Sequence, residues 1–356
     1  MLTDRVRAAV EGLTPGYFAL VMGTGIISIG MELEGYAVIS DVLLVTCLVA
    51  MVVLAVLNVW RFSHYQQAIA SDFMDPRRAF GFFTFVAGAN VVAIRLGMDG
   101  HHVAQAVLLF MSGAVWLVLG YVVPWTAVLG REERPVVMNA NGTWFIWVVA
   151  SQSVAACSAG LEPIWDGARA ELALLAVGSW SVGVFLYAAA GILVALRLML
   201  YPFGPEELTP PYWVSMGALA ITVVAGARIV EMTDAPVVLA TRGLIAGVAV
   251  VFWAFATWLI PVLVAAGVWR HFVRRVPLRY EATLWSIIFP LGMYAVAGIY
   301  LGQADQLPLV EAIGSGELWV AFVAWVVVFV AMVRNLNATV LTSPSPDARR
   351  VPPSAG

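Results

Sequence analysis

Ten apolar runs, each long enough to cross a bilayer, leave this sequence almost no room for a soluble domain. They fall near residues 17–36, 40–60, 80–98, 103–123, 143–160, 171–198, 212–232, 242–268, 283–302 and 318–336. A helix rises about 1.5 Å per residue, so about 20 apolar residues match the ~30 Å hydrocarbon layer. No water is present there to satisfy exposed backbone groups, and a continuous helix satisfies them internally. Composition agrees: 62% of the 356 residues are hydrophobic and 12% are charged, where a soluble domain carries about 25% charged residues. The expected fold is an all-α membrane protein with its ten helices over residues 15–338. A short N-terminal segment, 1–14, precedes them, and a Pro- and Ser-rich tail, 339–356, is expected to be disordered.

Arginine placement sets the expected orientation. Every basic residue is an arginine, and fifteen of the 19, from Arg5 to Arg350, fall at one set of span ends. Only Arg169 and Arg242 fall at the opposite set, while Arg95 and Arg228 lie within spans. Basic residues are retained on the cytoplasmic side. Both termini are therefore expected in the cytoplasm, which requires an even number of spans. A multi-pass protein of the bacterial inner membrane is the corresponding localisation.

The odd-numbered spans begin near Tyr17, Phe80, Thr143, Tyr212 and Thr283, at intervals of 63, 63, 69 and 71 residues, and each start is rich in aromatic residues. A repeat of this length reads as a helical hairpin used five times, and equal hairpins close most simply into a quasi-five-fold ring whose inner helices surround an axis. The odd spans also hold most of the unusual residues. Arg95 and Arg228 lie toward the outer ends of the third and seventh. A cation in a span is costly and faces a cavity or a partner. Either the two draw anions into a pore, or they snorkel outward to pair with Asp99 or Glu231. Asn90 is either an inward hydrogen-bond donor or a contact to a neighbouring helix. Gly23, Gly217 and Gly292 permit close helix packing or a narrow backbone-lined passage. Pro290 kinks the ninth span and Pro261 the eighth. The kink swings Phe289, which is then either a core residue or a plug for an axial pore.

Chemistry is otherwise sparse. Cys47 and Cys157 lie in apolar stretches, and no His, Cys, Asp and Glu set has metal-ligand spacing. Gly23-Thr24-Gly25 is no phosphate loop, since no strand precedes it and no lysine follows. The sequence offers no catalytic set, and no metal, cofactor or nucleic-acid partner is expected.

Three segments resemble a known family. They are Pro15-Gly16-Tyr17-Phe18 with Met22-Gly23-Thr24-Gly25, then Pro210-Pro211-Tyr212-Trp213 with Met216-Gly217-Ala218, then Trp285 with Phe289-Pro290-Leu291-Gly292-Met293-Tyr294. They are similar to the first, seventh and ninth helices of the tellurite-resistance/dicarboxylate transporter family, which includes TehA, yeast malate permease, sulfite exporters and the plant slow anion channels. The resemblance spans roughly 14–336. It implies a ring of five hairpins with the odd helices lining a central pore, a homotrimer with one pore per protomer, and a ninth-helix phenylalanine that occludes the pore. Phe289, with Pro290 after it, is the matching position. Phe18, Gly23, Asn90, Arg95, Arg228 and Gly292 complete the candidate pore residues. The expected activity is gated transport of small anions. The alternatives are a proton-coupled C4-dicarboxylate carrier of the malate type and a sulfite or oxyanion exporter; a membrane-embedded enzyme or sensor is a third class.

Overall fold

The computed structural model describes residues 2–132, 134–232, 235–304 and 306–341, and among these all regular structure is helical. Ten stretches are long and apolar enough to cross a membrane. Their α-helical parts are α2 (Ala19–Leu33), α3 (Ala37–His64), α5 (Phe83–Met98), α6 (His102–Val123), α7 (Phe145–Leu161), α8 (Arg169–Leu200), α9 (Val214–Glu231), α10 (Pro236–Val268), α11 (Trp285–Ala304) and α12 (Pro308–Leu336). Two shorter helices, α1 (Leu2–Glu11) and α4 (Gln66–Met74), are additional. They are bound to the bundle by charge. Arg61 of α3 donates from Nε to the Glu11 carbonyl of α1 at 3.0 Å, and its Nη2 lies 2.8 Å from Asp72 of α4.

The ten spans divide into two sets. In the spans that contain α2, α5, α7, α9 and α11, 78% to 89% of the most apolar stretch is buried within the protein; in those of α3, α6, α8, α10 and α12 the share is 17% to 28%. The buried set is inner and the other faces outward. Contacts among the inner helices close on themselves: α2 packs on α5, α5 on α7, α7 on α9, α9 on α11, and α11 on α2. Each outer helix packs on the inner helix that precedes it, which makes five hairpins. The first two have the same ending. Gly35 and Gly100 adopt φ of +81° and +82° just beyond α2 and α5, and Tyr36 and His101 donate back to Met31 and Leu96. This left-handed helix ending favours glycine because a Cβ is strained there.

Each inner span opens with a short 3-10 turn, at Pro15–Phe18, Ala79–Phe82, Gly142–Trp144, Pro210–Trp213 and Ala282–Leu284. These turns also touch in a closed cycle, at the arginine-rich face. Side chains support this collar. Tyr17 and Tyr280 share a hydroxyl hydrogen bond of 2.8 Å, and Trp285 donates to the Tyr280 hydroxyl at 3.2 Å. Burial and the neighbouring Tyr17 push the Tyr280 phenol up, so it stays neutral. At Gly142 a Cβ would lie 2.2 Å from the Pro211 carbonyl, so two turns meet backbone to backbone only because a glycine is there.

The tenth span begins at Pro308, about ten residues before the apolar run at 318–336. Glu311, Gly314, Gly316 and Glu317 lower the apolar count of its first turns, but those turns pack. A Cβ on Gly298 of α11 would stand 2.9 Å from the Gly314 Cα, so the two helices touch through their backbones. The tail expected over 339–356 lies outside the described residues from 342 onward; Asn337–Leu341 continue α12 as a π-helical turn.

A cavity among the inner helices

All five inner helices contribute to one cavity of about 270 Å³. Ile26 and Ile29 come from α2, Val91 and Ile94 from α5, Ser153 and Ala156 from α7, Val224 and Arg228 from α9, and Met293, Val296 and Tyr300 from α11. These positions recur at three- and four-residue intervals, which keeps them on one face of each helix. His102 and Gln105 reach in from the first turn of α6. The lining lies toward the C-terminal ends of the inner helices, so the cavity is at the arginine-poor face.

The wall is mostly apolar with a small polar group of one sign. Arg228 donates from Nη2 to the Tyr300 hydroxyl at 2.9 Å, and its guanidinium sits 4.7 Å from the Tyr300 ring centre. Its carboxylate neighbour, Glu231, is at 3.7 Å and half exposed, which makes a loose pair. The buried Nδ1 of His102 has no hydrogen-bond partner among the described residues. Gln105 and Ser153 add an amide and a hydroxyl, and no carboxylate is among the lining residues. Donors and a cation on a low-dielectric wall favour an anion over a cation.

Arg95 has a different environment. Its side chain is fully enclosed between α2, α3 and α5, with five hydrogen bonds: Ser28 at 3.2 Å, Ser40 at 3.0 Å, Asp99 at 2.5 Å, Glu32 at 3.0 Å and Asp41 at 3.1 Å. Three carboxylates surround one guanidinium, so Arg95 offers no free positive field, and it does not line the cavity. The paired alternative, with Asp99, is the arrangement present. Asn90 is likewise engaged by neighbours. Its Nδ2 donates to Ser153 of α7 at 3.0 Å and its Oδ1 accepts from Ser112 of α6 at 2.9 Å. It reaches the cavity only through Ser153.

Phe289 is buried, at 1% exposure. It lies four, seven and eleven residues before Met293, Val296 and Tyr300, hence on the cavity-lining face of α11 and one turn nearer the arginine-rich side. Pro290 leaves the Ser286 carbonyl without its i+4 donor. Glycines hold this segment from both sides. A Cβ on Gly217 of α9 would stand 2.9 Å from the Pro290 ring, and one on Gly23 of α2 would stand 3.2 Å from Ile288. Gly292 faces Ile26 and Ile27 at 2.8 and 3.0 Å by the same measure. None of these glycines lines the cavity; they are where helices approach closely. Phe18 is buried edge-on against Phe85, with ring centres 5.2 Å apart, in the collar and away from the cavity.

His102, Gln105, Ser153 and Tyr300 were not singled out by sequence. Tyr300 had a usable signal, its spacing from Phe289. His102 did not, since it sits at a span end and is aimed inward only by the packing of α6.

Compared with known proteins, residues 12–333 match the SLAC1 family model, described as voltage-dependent anion channel. The chain belongs to that family. Two uncharacterized transporters of Methanocaldococcus jannaschii are similar over nearly the whole length: 23% identical over 90% of this chain and 92% of the relative, and 22% identical over 93% and 97%. An uncharacterized membrane protein of Mycobacterium tuberculosis is 63% identical over 157 residues, 44% of this chain and 80% of that protein. As a SLAC1-family member with ten candidate spans, the chain is a multi-pass membrane protein of an anion channel or transporter class.

Proposed function

We propose that this protein conducts small anions along the axis enclosed by α2, α5, α7, α9 and α11, and that Phe289 closes the path. The observation that carries the reading is a cavity to which every inner helix contributes and whose lining bears Arg228 and no carboxylate. An anion arriving at the arginine-poor face meets the Arg228 field, exchanges part of its hydration for the donors of Tyr300, Gln105 and His102, and then meets the apolar constriction at Phe289. A single cation suits a singly charged inorganic anion better than a dicarboxylate, which needs two. Pro290, packed on Gly217, and Ile288, packed on Gly23, mark the turn at which α11 bends to move the ring. With arginines retained on the cytoplasmic side, the cavity faces outward across the bacterial inner membrane and both termini face inward. In the family arrangement each protomer of a trimer carries its own path.

Flux of chloride and nitrate into proteoliposomes tests the reading through Arg228→Gln. Flux several-fold lower than wild type, from protein that remains folded, is expected; unchanged flux would remove Arg228 from the path. A proton-coupled carrier is the second reading, and His102 favours it, as an imidazole with a free nitrogen on the cavity wall. Saturable malate uptake driven by a pH gradient and abolished by His102→Gln would establish that reading in place of the channel.

A further inference from the structure

A second concave surface lies outside the bundle, at the arginine-rich face between the fourth and fifth hairpins. It is a groove of about 630 Å³, within the range of sites that hold small molecules. One wall is the end of α10, with Leu263, Val264 and Gly267; the other is the opening turn of the seventh span, with Pro210 and Trp213, and Leu284 and Ile287 ahead of Phe289. Both walls are apolar. The mouth is basic: Arg270 and Arg275 line it, and Arg274 and Arg279 lie in the same stretch.

Two details show that the arginines are held there at a cost. Arg270 donates to the Leu208 carbonyl, yet its Nε is buried with no hydrogen-bond partner among the described residues. Arg275 adopts φ of 56°, a left-handed conformation that follows the π-helical stretch Trp269–Val273. Glycine ordinarily takes such a position past a helix end, and a side chain there pays a steric penalty. An arginine at this point keeps a cation at the mouth of the groove.

We propose that the groove is a binding site for one anionic glycerophospholipid, its acyl chain along Leu263, Val264 and Ile287 and its phosphate headgroup between Arg270 and Arg275. An apolar slot at the end of a spanning helix, with arginines just past that end, matches both parts of such a lipid. The guanidinium groups of Arg270 and Arg275 both line the groove, and arginine engages phosphate in bidentate fashion.

Native mass spectrometry of the full-length purified protein tests this with phosphatidylglycerol and phosphatidylcholine as probes. Wild type is expected to retain one phosphatidylglycerol per chain at collision energies that strip phosphatidylcholine. The Arg270→Gln/Arg275→Gln variant loses that preference, and an Arg131→Gln/Arg134→Gln control keeps it. A second variant acts on the acyl slot: a Cβ on Gly267 meets open space, so Gly267→Trp narrows the groove and is expected to expel the lipid. Both variants should keep the wild-type melting temperature in phosphatidylcholine, which separates loss of the site from loss of the fold. Equal retention of the two lipids by wild type, or a preference for phosphatidylglycerol kept by either variant, would overturn the assignment.

Discussion

Replacing Arg95 with glutamine separates a structural cation from a conducting one. The Arg95 side chain is 1% exposed and binds three carboxylates of 31%, 67% and 33% exposure on Glu32, Asp41 and Asp99. Breaking a buried ion pair from one side costs about 3–5 kcal/mol. The three carboxylates are partly wet and can recover water, which places the loss near the lower end, about 3 kcal/mol. At roughly 2–4 °C per kcal/mol for a large domain, the midpoint of thermal unfolding in detergent should fall by about 6–12 °C. Anion selectivity in liposomes should stay as in wild type, because Arg95 does not face the cavity. Adding Glu32→Gln, Asp41→Asn and Asp99→Asn to Arg95→Gln should recover part of the midpoint, since the uncompensated carboxylates are then gone. An unchanged midpoint together with a loss of anion flux would refute this reasoning and return Arg95 to the conducting path.

Other outcomes follow from the same contacts. Gly217→Ala sets a Cβ against the Pro290 ring at 2.9 Å and should cost about 1–3 kcal/mol by overpacking, read as a lower unfolding midpoint. Glu207, in the loop before the seventh span, accepts from the Gly204 N–H at 3.0 Å and from Arg197 at 2.8 Å. The Gly204 hydrogen bond and the Arg197 charge hold its carboxyl below the usual carboxylate range. Its contribution to stability is present above the unfolded-state pKa, about 4.3, and is lost as pH falls through the lower folded value. The midpoint difference between wild type and Glu207→Gln should therefore be largest near neutral pH and shrink in acid.

The spans, their pairing and the inner set were legible in sequence because bilayer physics writes them in one dimension. Each helix needs its own apolar run, and the inner helices carry the aromatic starts that recur every 63 to 71 residues. The site was less legible. Arg95 shows only Asp99 within helical reach; Glu32 and Asp41, 63 and 54 residues away, come to it through the packing of the first hairpin. His102 reads as a loop residue until α6 turns it inward. Asn90 has donors and acceptors for either direction, and the serines that engage it lie on two other helices. Residue type and spacing identify what a helix can do, while the choice between cavity and neighbour is made by contacts across the bundle.

Phe289→Ala is the most direct test of a path closed by that ring. Currents should be measured on the purified variant in planar bilayers while chloride, nitrate and sulfate are exchanged in turn. Truncating a buried phenylalanine costs about 3–5 kcal/mol, so a Phe289→Leu variant, closer in volume, is measured beside it and the folded fraction is checked for both. Expected is an anion conductance well above wild type for Phe289→Ala, intermediate for Phe289→Leu, with anions still preferred over cations. Folded Phe289→Ala protein with wild-type conductance would show that the path is closed elsewhere or does not run along α11.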